Sequence, residues 1–280
     1  MNSEFGQGVV MAFETMMRQA LAGQEYFSDP LFGYADLNDP LFERLKQVVS
    51  PDHLSPRDVL GCRYKQPAQQ GTVVVWILPI VRETILANRK EQLYPSRAWA
   101  RTRHYGEQVN QQLRHKAEAF FADAGEQSAA PLLLEKWQAD YERFTSNWSE
   151  RHAAFVAGMG SFGLSDAFIS DAGVSHRIGS VVTSARLPVT PRHTDDPYHR
   201  CLFKHDGSCG LCITRCPVQA ISDQGHDKSA CHDYSRNEIN PRCNASFGVD
   251  ISGCGLCTTA VPCERKPPRF KGERVKGTVD

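Results

Sequence analysis

Nine of the ten cysteines in this 280-residue chain crowd between Cys201 and Cys263. So many thiols in so short a stretch must be cross-linked or bound to metal. The spacing argues for metal. Cys209-x2-Cys212-x3-Cys216-Pro217 matches the last three positions of the C-x2-C-x2-C-x3-C-P run that binds four-iron clusters, in which the fourth cysteine serves the other cluster. A second set of thiols follows: Cys231, then Cys254-Gly-Leu-Cys257, then Cys263. Two residues between thiolates let one tight turn aim both sulfurs at a cluster. Gly210 and Gly255 let backbone N–H groups approach its sulfides. Pro217 diverts the chain, so that Cys216 can face a second cluster.

The count fits two [4Fe–4S] clusters, one on Cys201, Cys209, Cys212 and Cys263, the other on Cys216, Cys231, Cys254 and Cys257. Cys62 and Cys243 are then spare, Cys62 as a buried thiol and Cys243 in a loop between ligands. Asp206 stands where the standard run has its first cysteine. Either Cys201 reaches in through a longer loop, or Asp206 ligates one iron; thiolate is the better ligand. The competing reading is structural zinc, which uses two close CxxC pairs; here the pairs lie far apart.

Thirty-two basic and 32 acidic residues give a formal net charge of zero, so nothing global draws the chain to nucleic acid or an anionic membrane. No apolar run of membrane-spanning length occurs, and Met1 to Ala22 lacks the pattern of a signal peptide. The expected location is the cytoplasm, where thiols stay reduced.

Apolar spacing predicts an amphipathic helix over 5–22. Residues 25–60 are mixed, with Pro and Asp breaks. TVVVWILPI at 72–80 predicts a buried strand, central in a sheet. Helices are expected over about 105–124, 131–144 and 149–157, the last capped by Ser149. Two short strands are expected within 166–184, around a turn at Asp171–Gly173. The Pro- and Asp-rich stretch 186–200 is the natural boundary between an α/β (α+β) domain with a central sheet, residues 1–195, and a ferredoxin-like 4Fe–4S domain, 196–263. A basic tail, 264–280, reads as an extended, solvated end.

SERHAAFVAGMGSFGLSDAFIS, RIGSVVTSARLP, CGLCITRCPVQAI, GHDKSAC and the late GCGLC together resemble the epoxyqueuosine reductase family, iron–sulfur proteins related to reductive dehalogenases. The resemblance covers about residues 70–263. It implies an α/β domain that binds cobalamin base-off, fed with electrons by a C-terminal two-cluster domain, for reductive removal of an oxygen or another leaving group. It also implies an electron donor such as ferredoxin or flavodoxin. The chain departs from the family in three places. Phe144 stands near the place of a family acid, Asp206 replaces a cysteine, and the helical-repeat extension of many tRNA-acting members does not follow Cys263. The expected substrate is therefore a small molecule other than epoxyqueuosine.

Gly158, Gly160 and Gly163 match G-x-G-x-x-G, but a helix precedes them where a dinucleotide site needs a strand. They read as a glycine-rich helix stop or as bare backbone against a flat cofactor. Arg101, Arg103, His104 and Tyr105 read as a polar helix start that is either solvated or holds a corrinoid's polar groups. His152 reads as a packed, satisfied ring. The leading expectation is an iron–sulfur reductase. The alternative is a non-catalytic electron carrier or a reductive activator of a partner protein.

Overall fold

The computed structural model describes residues 3–250 and 253–270. Helix α1 (Ser3–Ala20) leads into strand β1 (Leu31–Asp36), and helices α2 (Pro40–Val48) and α3 (Pro56–Gly61) follow. Both of these helices begin on a side-chain cap and a proline. Asp39 accepts from Leu41 N, and Ser55 and Asp58 form a reciprocal capping box. The mixed composition of 25–60 thus conceals one strand and two short helices.

Strand β2 (Thr72–Pro79) is buried along its whole length. It pairs antiparallel with β1 on one side and with β8 (His176–Thr183) on the other. The small strand β3 (Ser128–Ala129) completes the order β1-β2-β8-β3. The expected central strand is therefore central, and it is uniformly apolar because both faces of the sheet are covered. Helix α4 (Arg82–Arg89) and the long α5 (Arg97–Asp123) follow β2. Phe13 and Met17 of α1 and Leu113, Ala117 and Phe121 of α5 pack against Val74, Trp76 and Val181 on one face. On the other face, Val73, Val75 and Ile77 meet Phe42, Val59, Trp148 and Ala154. Asn110 ties α5 to the sheet: it accepts from Trp76 Nε1 at 2.8 Å and donates to the Ile178 carbonyl at 2.9 Å. These buried polar groups are therefore mutually satisfied.

Helix α5 starts eight residues before the expected 105, at Arg97, because Ser96 Oγ accepts from Trp99 N. The helix expected over 131–144 is absent. A single 3₁₀ turn at Pro131–Leu133 leads instead to a hairpin of β4 (Ala139–Asp140) and β5 (Thr145–Ser146). Asp140 Oδ1 accepts from the Glu142 and Arg143 amides, and Phe144 sits at φ 53°. Local side-chain hydrogen bonds thus override an apolar spacing that merely looked helical.

Helix α6 (Glu150–Val156) follows Ser149, whose hydroxyl makes no cap bond and instead meets His152 Nδ1 at 2.7 Å. Burial pushes the His152 pKa down to about 3, and its ring lies 4.6 Å from that of Phe162. Strands β6 (Gly160–Phe162) and β7 (Phe168–Ser170) pair with each other. The turn at 171–173 forms, but β7 and β8 make no hairpin, because β8 belongs to the central sheet.

Beyond 186 the chain runs without regular elements to α7 (Leu202–Asp206) and α8 (Leu211–Thr214). A hairpin of β9 (Ile221–Ser222) and β10 (Gly225–His226) precedes α9 (Lys228–Asp233), a π-turn segment (Tyr234–Ile239) and α10 (Asn240–Phe247). Pro241 has no N–H to return to the preceding turn, and the coil widens ahead of it. Among the described residues, no helix is long and apolar enough to cross a membrane.

Candidate metal centres

Cys201, Cys209, Cys212 and Cys263 open together into one narrow cavity, walled by Leu164, Val174 and Val261. Cys201 caps α7, Cys209 and Cys212 bracket the start of α8, and Cys263 is brought in by a bond from Val174 N to its carbonyl at 2.9 Å. Burial pushes the Cys212 thiol up to about 11 and Cys263 up to about 12, and in each the other thiols of the set push further. Cys212 and Cys263 thus resist ionisation in this apolar pocket, and a bound cation would remove that cost. Asp206 does not line this cavity. It is exposed, and its Oδ1 accepts from Ser208 N.

Cys216, Cys231, Cys254 and Cys257 form a second set. Burial raises Cys231 to about 11, with Cys254 and Cys216 adding to it. Cys257 is driven well above its ordinary value by burial and then by Cys254, Cys231 and Cys216. Cys212 also acts on Cys257, so the two sets are adjacent. Backbone amides face these sulfurs: those of Leu256 and Gly255 at Cys254, and Ala220 N on Cys216 Sγ at 3.2 Å. Gly255 has φ 58°, and a Cβ there would fall 2.1 Å from the Trp99 ring, so only glycine lets this turn close against α5. Among the described residues, no three His, Cys, Asp or Glu side chains converge on a point as a single metal ion requires.

The thiol-bearing segment is bound to the sheet-bearing part by polar groups that sequence reasoning missed. Asn88 Nδ2 donates to the Cys254 carbonyl at 3.0 Å. Arg89 grips Glu264 through Nε and Nη2, at 2.7 to 3.0 Å. Glu264 is 2% exposed, which corrects the expectation that a solvated tail begins at 264; the tail beyond 270 lies outside the described residues. Arg215 reaches Leu256 O, Thr259 O and Glu91 O, and its buried Nη2 has no partner. A charged residue directly before Cys216 was the available signal.

Arg101, Arg103, His104 and Tyr105 lie inside α5, and Arg103 stands beside Gly253. Tyr105 Oη donates to the Gly248 carbonyl at 2.6 Å, His104 Nε2 lies 3.7 Å from Asp250, and Arg101 stacks on Tyr105 at 4.8 Å. The glycines lie elsewhere. A Cβ on Gly158 would meet Pro191 O at 2.6 Å, and one on Gly160 would meet Ile169 O at 2.1 Å. At both, the space a bare backbone would offer a flat ligand is filled by protein. Gly163 packs on Ala167 and Ile169 and lines the first cysteine cavity. Cys62, expected buried, is exposed at the end of α3, where its Sγ meets Asp58 O. Cys243 is a buried helical residue of α10 rather than a loop thiol.

The fold is shared with several solved structures. The chain superposes on epoxyqueuosine reductase from Bacillus subtilis with a TM-score of 0.51 at 17% identity, over 94% of this chain and 68% of that one. The enzyme from Streptococcus thermophilus gives 0.52 at 14% identity, over 93% and 68%. A reductive dehalogenase, described as suggesting a mechanism for B12-dependent dehalogenation, gives 0.55 at 13% identity, over 92% of this chain and 32% of that one. At these identities the likeness is one of fold. No family model and no curated protein matches the sequence.

Proposed function

We propose that the chain is an iron–sulfur oxidoreductase that carries electrons through two [4Fe–4S] clusters to a reductive site in the sheet-bearing N-terminal part. The sorting of eight cysteines into two adjacent sets of four carries this reading. Cys201, Cys209, Cys212 and Cys263 would hold one cluster, and Cys216, Cys231, Cys254 and Cys257 the other. The fit is supported by the cavity that the first four share and by the buried, unpartnered Nη2 of Arg215, a donor in want of an acceptor. Bound clusters would supply one-electron transfer, at potentials within about −700 to +450 mV. The protein's part is to bury the thiolates and aim amides at them, which stabilises their negative charge.

The reductase fold supports the catalytic half of the reading. Phe144, near the place of the family acid, packs on His232 at 5.6 Å, which supports a substrate other than epoxyqueuosine. The filled spaces at Gly158 and Gly160 do not fit the expected corrinoid contacts, so cobalamin is left to direct measurement. The test is metal analysis of protein purified without oxygen from cells supplied with cobalamin. Two four-iron clusters give about eight iron atoms per chain. Iron near zero, or zinc in its place, would sink the proposal. Cobalt near one would add a corrinoid; iron without cobalt would leave a cobalamin-free reductase or an activator of a partner protein.

A further inference from the structure

A broad cavity of about 1140 Å³ opens between α2, α3 and the segment that follows the 3₁₀ turn. Leu54 and Leu134, of the core layer that holds Phe42 and Trp148, are its buried apolar part. None of the eight cysteines of the two sets lines it. Cys62 does, and its thiol is exposed at the end of α3. His53 lines the same cavity and is 2% exposed. Its Nε2 accepts from Ser149 N at 3.2 Å, so in the neutral ring the proton sits on Nδ1. The Leu54 backbone acts on the ring, yet Nδ1 has no hydrogen-bond partner. A buried donor without an acceptor costs stability until a ligand supplies one.

The charges around the cavity are of two kinds. Lys46 is held by Glu43 at 2.8 Å and Asp58 at 3.6 Å, and Arg63 by Glu118 at 2.8 Å. Arg57 donates to Asn38 Oδ1 at 2.6 Å and to the Gln69 carbonyl, neither of them charged. Among the described residues, Arg57 and Lys136 have no ion pair with a carboxylate, and Asp52 and Glu135 have none with a cation. All four are exposed and line the cavity. Two unpaired cations and two unpaired carboxylates suit neither a simple anion nor a simple cation. They suit a ligand that carries both signs. The exposed thiol among them adds a covalent handle, since a thiolate attacks a disulfide sulfur.

We propose that this cavity binds a small zwitterionic peptide thiol, and that Cys62 forms a mixed disulfide with it. The Cys62 thiolate attacks the disulfide of the oxidised peptide. That S–S bond breaks, a new one forms between Cys62 and one half, and the other half leaves as a thiolate that takes up the proton Cys62 gave away. The protein thiol is oxidised and one peptide thiol is released reduced. Arg57 and Lys136 take the peptide's carboxylates, and Asp52 and Glu135 its ammonium. The clusters take no part in this step.

The test uses the full chain with its iron, without oxygen, at low salt. Oxidised glutathione is the peptide probe and bis(2-hydroxyethyl) disulfide its uncharged counterpart, with the rate at Cys62 read by peptide mass mapping. Cys62 should take up glutathione. Arg57→Gln and Lys136→Gln together should slow that uptake about tenfold, or about 1.4 kcal/mol, while the uncharged disulfide keeps its rate. S-Methylglutathione, which cannot form a disulfide, should shield Cys62 from iodoacetamide in the parent chain and not in the double variant. If Arg57→Gln fails to fold, Lys136→Gln alone, on an exposed side chain, carries the test with a slowing of about threefold. Absence of glutathione at Cys62, equal slowing of both disulfides, an unchanged glutathione rate in the variants, or no shielding would each overturn the proposal. The last two would leave Cys62 as an exposed thiol without a binding site. Iron content is followed on the same samples. Shielding and uptake at Cys62 in a chain that holds no iron would defeat the proposed function and leave the cavity's role standing.

Discussion

The sheet-bearing part and the cysteine-bearing segment are ordered by different physics. The first has an apolar layer on each face of its sheet, with Trp76, Phe121, Phe42 and Trp148 fully or almost fully buried. The second contributes Cys201, Ile221 and Val261 to a small buried cluster completed by Leu164, Ile169 and Val174 from the preceding part of the chain. Its remaining order comes from thiols gathered into sets and from polar ties to the sheet-bearing part. Area removed from water stabilises the first at roughly 25 cal/mol per Å². The second gathers less such area and, on the proposed reading, needs its ligands, as small metal-binding units do.

The widest separation between the two regions should appear on stripping iron. On the proposed reading, a strong chelator should open residues 201–263 to proteolysis while the fragment bearing β1, β2 and β8 survives. Equal digestion of both, read by mass spectrometry, would erase the contrast. Phe121→Ala should act in the reverse sense and cost about 3–5 kcal/mol, read by denaturant unfolding of the sheet-bearing part. Acid probes that part as well. Burial first, with Lys46 adding and the Leu54 backbone opposing, holds His53 at about 4. Its folded pKa lies below the unfolded value, so the unfolded chain takes up the proton first as pH falls. About 3 kcal/mol should be lost between pH 6.5 and 4. A flat stability profile across that window would show that His53 is not held neutral. The smallest effect belongs to the seam. Glu264→Gln, which leaves Arg89 partly solvated, should cost about 1–2 kcal/mol and raise hydrogen exchange around 254–264 more than within β2. Uniform exchange would mean that the two regions open as one.

Much of this was legible in the sequence, and what was not has physical causes. The long apolar run of β2, rich in β-branched residues, identified a buried central strand, and the cysteine spacings supplied the ligand sets that the proposed function uses. The hairpin at 139–146 was hidden because Leu132, Leu133, Leu134 and Trp137 imitate a helical face, while Asp140 caps the turn locally. The ties made by Asn88, Arg89 and Arg215 were hidden for another reason. Each joins residues more than 100 positions apart, and no local pattern records such a pairing.

The two cysteine sets interleave along the chain, since Cys216 joins the later set and Cys263 returns to the earlier one. This order has a consequence for how the protein is made. As the chain leaves the ribosome, three thiols of the first set emerge early but stay incomplete. The second set is finished at Cys257, and only the arrival of Cys263 closes the first. A chain that stops between these two positions would emerge with one set whole and the other open to oxidation. On the proposed reading, Cys263 would thus act as a completion signal, admitting a full pair of centres only to chains synthesised past it.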